Sequence, residues 1–159
     1  MVPARFLTDT SLESLARRLR LLGYDALTVR GARLEELFEI AAREARCVLT
    51  ASHRHPKRFA AVPVLVVPRA DDAGALRLLA ATHRPSGAPF SRCPACNVTL
   101  MPRHRMEASG EVPGRVLRQV TALTSCPSCG KWYWDGSHVA RLRAWFERTL
   151  GDAPGATDS

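Results

Sequence analysis

Ser91-Arg-Cys-Pro-Ala-Cys-Asn97 and Cys126-Pro-Ser-Cys-Gly130 are the two stretches that decide how this chain is read. Each is a Cys-x-x-Cys turn, and 29 residues separate Cys96 from Cys126. Two such turns offer four thiolates, Cys93, Cys96, Cys126 and Cys129, to one tetrahedral Zn²⁺ at about 2.3 Å, the ligand set of a structural zinc ribbon. Pro94, Pro127, Ser128 and Gly130 are small or turn-forming, so backbone amides can point at the sulfurs. The same spacing also serves a pair of disulfides or a redox-active dithiol. Met1-Val-Pro-Ala-Arg5 lacks the form of a secretory leader, so the expectation is a cytoplasmic, reducing setting in which disulfides are disfavoured. A redox role is weakest, because both pairs are best used on one metal. Cys47 lies in an apolar run and reads as a small buried residue.

Upstream of the cysteines, short apolar runs alternate with helical periodicity, the pattern of a parallel α/β sheet. Arg5 to Thr8 reads as a first strand ending at Asp9. Ser11 is a candidate cap for a helix carrying Leu12, Leu15, Leu19 and Leu22, with Gly23 as its stop. A second strand is expected at Asp25 to Val29 and a helix from about Arg33 to Ala45. Cys47 to Thr50 reads as a third strand. A fourth spans Val62 to Val67, with Pro63 delaying its start, and a helix runs from about Asp71 to Thr82. The expected organisation is an α/β domain over 1–84, a Pro- and Gly-rich linker over 85–92, the ribbon with a C-terminal helix over 93–151, and a tail over 152–159. Lys131 to Trp134 continues as a strand out of the second knuckle. Ser137 is a candidate cap for the last helix, whose Val139, Leu142, Phe146 and Leu150 share a face. At least one of the aromatics Trp132, Tyr133 and Trp134 is expected to be core, packing that helix onto the ribbon.

A chain of 159 residues with 46% apolar content can bury one ordinary core, and no apolar run approaches a membrane span. Lys and Arg outnumber Asp and Glu by 23 to 15, giving a net charge of +8, and nearly all the cations are arginine. Guanidinium forks onto phosphate, so a polyanion such as RNA is the natural partner. Arg17 and Arg20 of the first helix and Arg54 in the His53-to-Arg58 loop are candidates for phosphate, while Trp132, Trp134 and His138 offer stacking surfaces.

Chemistry in a parallel α/β sheet gathers beyond the carboxyl ends of its strands. Asp9, Glu35, Glu36, Asp71 and Asp72 all fall at that edge. Carboxylates brought together there repel unless a hard cation neutralises them, so the group reads as a Mg²⁺ or Mn²⁺ site for phosphodiester hydrolysis. Glu35, Glu36, Asp71 and Asp72 also stand at helix starts, where an acidic side chain favours the helix dipole with no catalytic role.

Phe6-Leu-Thr-Asp9, Leu15-Ala-Arg-Arg-Leu-Arg-Leu-Leu-Gly-Tyr-Asp25, Ser91 to Asn97 and Cys129-Gly-Lys-Trp-Tyr-Trp-Asp-Gly-Ser-His138 resemble, in this order and spacing, the Mut-7 C-terminal RNase domain family. The resemblance covers nearly the whole chain. It implies a PIN-like fold, a doubly wound parallel sheet of about four strands, followed by a small zinc ribbon. It also implies divalent-metal-dependent cleavage of RNA, with Asp9 and Glu36 as the ligands and catalytic residues that carry over most directly and Asp71 or Asp72 behind them. The family typically reads Thr-Arg-Asp after the third strand, with the aspartate on metal, whereas this chain has Thr50-Ala-Ser52. A neutral serine is a poor ligand for Mg²⁺. The alternative expectation is therefore an RNA-binding module whose cutting site has decayed.

Overall fold

The computed structural model describes residues 4–151. Strands β1 (Arg5–Asp9), β2 (Asp25–Val29), β3 (Cys47–Thr50) and β4 (Val64–Val66) form one parallel sheet in the order β2-β1-β3-β4. Successive side chains point to opposite faces, so Phe6 and Leu49 go to one core while Leu7 and Val48 go to the other. Helices α1 (Glu13–Leu21) and α3 (Asp72–Thr82) cover the first face, through Leu15, Leu19, Leu76 and Leu79. Helix α2 (Leu34–Glu44) covers the second with Leu37, Phe38 and Ala41. This is the doubly wound arrangement expected, and its switch point lies between β1 and β3. Pro63 does shorten the last strand: its carbonyl accepts from Val48, and β4 starts one residue later.

The cysteine-bearing part is built differently. Strands β5 (Met101–Arg103), β6 (Leu123–Ser125) and β7 (Trp132–Trp134) form an antiparallel sheet. Between β5 and β6 the chain makes a short 3-10 turn and the one-turn helix α4 (Gly114–Leu117). Ala108, Val112 and Leu123 are buried there beneath Trp132 and Trp134, which gives this small sheet an apolar cluster of its own. Tyr133, between them, faces the cysteines instead.

Helix α5 (Ser137–Leu150) then returns to the first sheet. Phe146 is buried in the same core as Leu15 and Leu79, with Leu142, Trp145 and Leu150 packed against it. The helix thus packs on α1 and α3 and not, as expected from the aromatics Trp132 to Trp134, on the ribbon. Its first residue is Ser137 itself, and the capping position falls on Gly136, so the expected Ser137 cap does not form. Residues of the expected linker are also held: Ser86 and Gly87 amides both donate to the Gly23 carbonyl at 3.1 Å, and the Phe90 amide donates to Leu21 at 2.7 Å. Gly23 has φ +92, and a Cβ there would meet the Gly87 carbonyl oxygen at 2.2 Å. Only glycine allows the segment to lie that close.

Candidate functional site

The two knuckles have the same backbone plan. The Asn97 amide donates to the Cys93 carbonyl at 2.9 Å, and the Gly130 amide to the Cys126 carbonyl at 2.8 Å. Asn97 (φ 65) and Gly130 (φ 76) are both left-handed, a conformation that Gly takes freely and Asn tolerates. The four sulfurs converge within 4.8 Å of one another, the one group of three or more His, Cys, Asp or Glu side chains gathered this closely among the described residues. Ser128 and Cys129 amides point at Cys126 Sγ at 3.4 Å, and the Tyr133 hydroxyl lies 3.2 Å from Cys93 Sγ. Burial pushes the Cys93 thiol up, but Tyr133 and the Cys96 and Ala95 amides outweigh it and bring it down to about 7. Burial and the adjoining Cys129 push Cys96 up to about 12. Four thiolates this close repel one another unless a cation neutralises them, and Zn²⁺ does so for all four. The donor set fits structural zinc.

The carboxyl edge is less gathered. Asp9 ends β1 at the switch point and accepts from the Ser11 amide at 2.9 Å and from the Ser11 hydroxyl. It, not Ser11, caps the 3-10 turn Thr10–Leu12 that precedes α1. Glu36 is exposed and accepts from the Arg33 amide at 3.0 Å at the start of α2. Asp71 caps α3 by accepting from the Gly74 amide at 2.9 Å. Asp72 accepts from the Ser14 hydroxyl at 2.6 Å and from Arg18 Nε at 3.0 Å. The topology explains the dispersal, since α2 and α3 begin above opposite faces of the sheet. As they stand, these side chains do not make a cage for Mg²⁺ or Mn²⁺. Ser52, beyond β3, accepts from the Arg54 amide at 3.2 Å and brings no charge to the crevice beside Asp9.

A cleft of about 500 Å³ opens next to Asp9, lined by Ser11, Ser14, Arg18, Arg69, Asp71 and Trp145. Trp145 reaches it from α5, and the Arg18 guanidinium lies 4.1 Å over its ring. The apolar stripe of α5 marks Phe146 but not its neighbour. The signal available in the sequence was Trp145 standing three residues after Leu142, on the flank of that stripe.

The Mut7-C RNAse domain matches residues 4–146. The chain belongs to this family. No curated protein and no solved structure gives a match. Within the Mut7-C domain of this chain, two side chains tie the first knuckle to the edge strand β2. Asn97 accepts from the Ala26 amide at 3.0 Å and donates to Asp25 at 2.7 Å, and Asp25 is also paired with Arg46 at 2.7 Å. Arg20 donates to the Ala26 and Pro94 carbonyls, Thr28 and Glu13 at 2.7, 2.8, 2.7 and 3.1 Å.

Those bonds correct one expectation for the Mut7-C chain. Arg20 is 2% exposed and spends four hydrogen bonds inside the protein, so its place is that of a strut and not of a surface cation open to phosphate. Trp132 and Trp134 are half-buried over Ala108 and Val112, which limits them as stacking platforms. Arg17, Arg54 and His138 are exposed; Arg17 pairs with Glu13 at 3.6 Å. Among the described residues no helix is long and apolar enough to cross a membrane.

Proposed function

We propose that this Mut7-C chain is a ribonuclease whose reaction centre is the crevice around Asp9. The observation that carries the reading is the position of Asp9, a carboxylate at the end of β1, one of the two central strands, and at the switch point of a doubly wound sheet, in a chain of this family. Asp9 can accept a hydrogen bond from an attacking hydroxyl or water, while exposed cations such as Arg54 and Arg69 hold flanking phosphates. The zinc ribbon is structural in this reading. Dependence on Mg²⁺ or Mn²⁺ belongs to the proposal as an expectation from the family, since the carboxylates do not assemble an ion site by themselves.

The test is cleavage of short single-stranded RNA by the zinc-loaded chain, with and without Mn²⁺, beside Asp9→Asn. Asparagine caps a helix as well as aspartate does, so this variant keeps the fold and loses the charge. The expected result is cleavage that falls about a hundredfold or more in the variant. A second reading, RNA binding without cleavage, is favoured by Ser52 standing where the family carries an aspartate. Binding by the wild-type chain with no cleavage, and gain of cleavage in Ser52→Asp, would establish that reading in place of the first.

A further inference from the structure

The cleft beside Asp9 is explained neither by helix capping nor by the core. Its volume of about 500 Å³ is ample for one planar ring, and it is open to solvent on one side. One wall is a pair of flat groups, the Trp145 indole and the Arg18 guanidinium, 4.1 Å apart. Asp72 fixes the guanidinium through Nε at 3.0 Å, so the pair is preorganised. Arg18 also neutralises Asp72, while Asp71 keeps the interior unfavourable for a phosphate. At the rim, Arg69 is exposed and makes no ion pair or side-chain hydrogen bond among the described residues. The Ser11 and Ser14 hydroxyls donate to Asp9 and Asp72, which leaves each an acceptor lone pair for a ligand in the cleft. Ser11 is hydrogen-bonded to Asp9, which sets the cleft directly beside the candidate reaction centre.

A planar, uncharged, hydrogen-bonding group with an anionic attachment suits these walls, and an unpaired nucleobase has that chemistry. We infer that this cleft is a subsite for one unstacked base of the RNA strand, packed against the Trp145–Arg18 pair with a neighbouring phosphate on Arg69. The inference rests on the ribonuclease reading and adds to it a residue, Trp145, that comes from the last helix. The strand would be held by a base that lies next to the bond at Asp9, with little preference among bases, because every base has a flat face.

The experiment uses the zinc-loaded full chain, without added Mg²⁺ or Mn²⁺, and single-stranded RNA of about eight nucleotides carrying a central 2-aminopurine. Stacking in the cleft quenches the probe. Trp145→Leu is expected to bind about tenfold more weakly with the quench lost, Trp145→Phe to recover most of both, and Arg69→Ala to bind about threefold more weakly with the quench retained. Wild-type affinity and quench in a Trp145→Leu chain of unchanged melting temperature and zinc content would overturn the subsite. Should that variant fail to fold, RNA with abasic central positions decides on the wild-type chain: about tenfold weaker binding supports the subsite, and equal binding overturns it. A wild-type chain that binds abasic RNA as well as intact RNA, and that cleaves both equally once Mn²⁺ is added, sinks this inference alone. A chain that binds no RNA sinks the functional reading along with it.

Discussion

The cysteine cluster and the carboxyl edge are both sets of four candidate ligands, and they end up differently. Four cysteines lie within 4.8 Å of one another, and amides or a tyrosine hydroxyl point at two of the sulfurs. Four carboxylates, Asp9, Glu36, Asp71 and Asp72, are each occupied locally, three accepting from an amide at a helix start and the fourth pairing with Arg18. A thiol has little else to do in a turn, whereas an acid at a helix start gains stability simply by capping. Convergence therefore says more about a cysteine than about an aspartate.

The contrast breaks most visibly at the metal. Cys126→Ser, or chelation, should abolish zinc binding and unfold β5 to β7, because a structural site contributes on the order of 10 kcal/mol and the apolar cluster around Leu123 is small. Zinc content falling from one per chain to none, with a red shift of tryptophan emission, checks it. Next in size is Arg20→Met, which removes the donors to Thr28 and two carbonyls, leaves Glu13 with Arg17 alone and should cost about 3 kcal/mol in denaturant unfolding. Lysine at the same position should recover little of that, having no planar fork.

A finer probe is Asn97→Gly, which keeps the left-handed turn while deleting the bonds to Ala26 and Asp25. It should leave zinc affinity intact, cost about 1–2 kcal/mol and speed amide exchange at Ala26. The smallest effect concerns acid. Burial raises the Asp25 carboxyl, but hydrogen bonds from Arg46 and Asn97 outweigh it and hold the group below its ordinary value of 3.8. Because the folded value is the lower one, this stabilisation is present above 3.8 and is lost as pH falls below it. The melting temperature of wild type should therefore drop more steeply with acid than that of Asp25→Asn.

Much of this was legible in the sequence because it is periodic or punctuated. Leu15 and Leu19, Leu37 and Phe38, and the run Cys47 to Thr50 all lie where spacing puts them. Arg20 was not legible: on a helical wheel it is one more arginine off the apolar stripe, and only the approach of Pro94, 74 residues away, makes it a buried strut. Phe146 hides its destination for the same reason, since a stripe declares that it packs but not against which partner. At the carboxyl edge the sequence left cap and ligand as rival readings, and the capping bonds of Asp9, Glu36 and Asp71 are the part that backbone position alone determines.

Direct metal titration of the purified chain, in the absence of RNA, tests the contrast most simply. The expected result is one tightly held zinc per chain, bound by four protected thiols, and Mn²⁺ affinity no tighter than about a millimolar, unchanged by Asp9→Asn. Stoichiometric Mn²⁺ binding well below that concentration, abolished by Asp9→Asn, would show that the carboxylates do assemble a site and would contradict it.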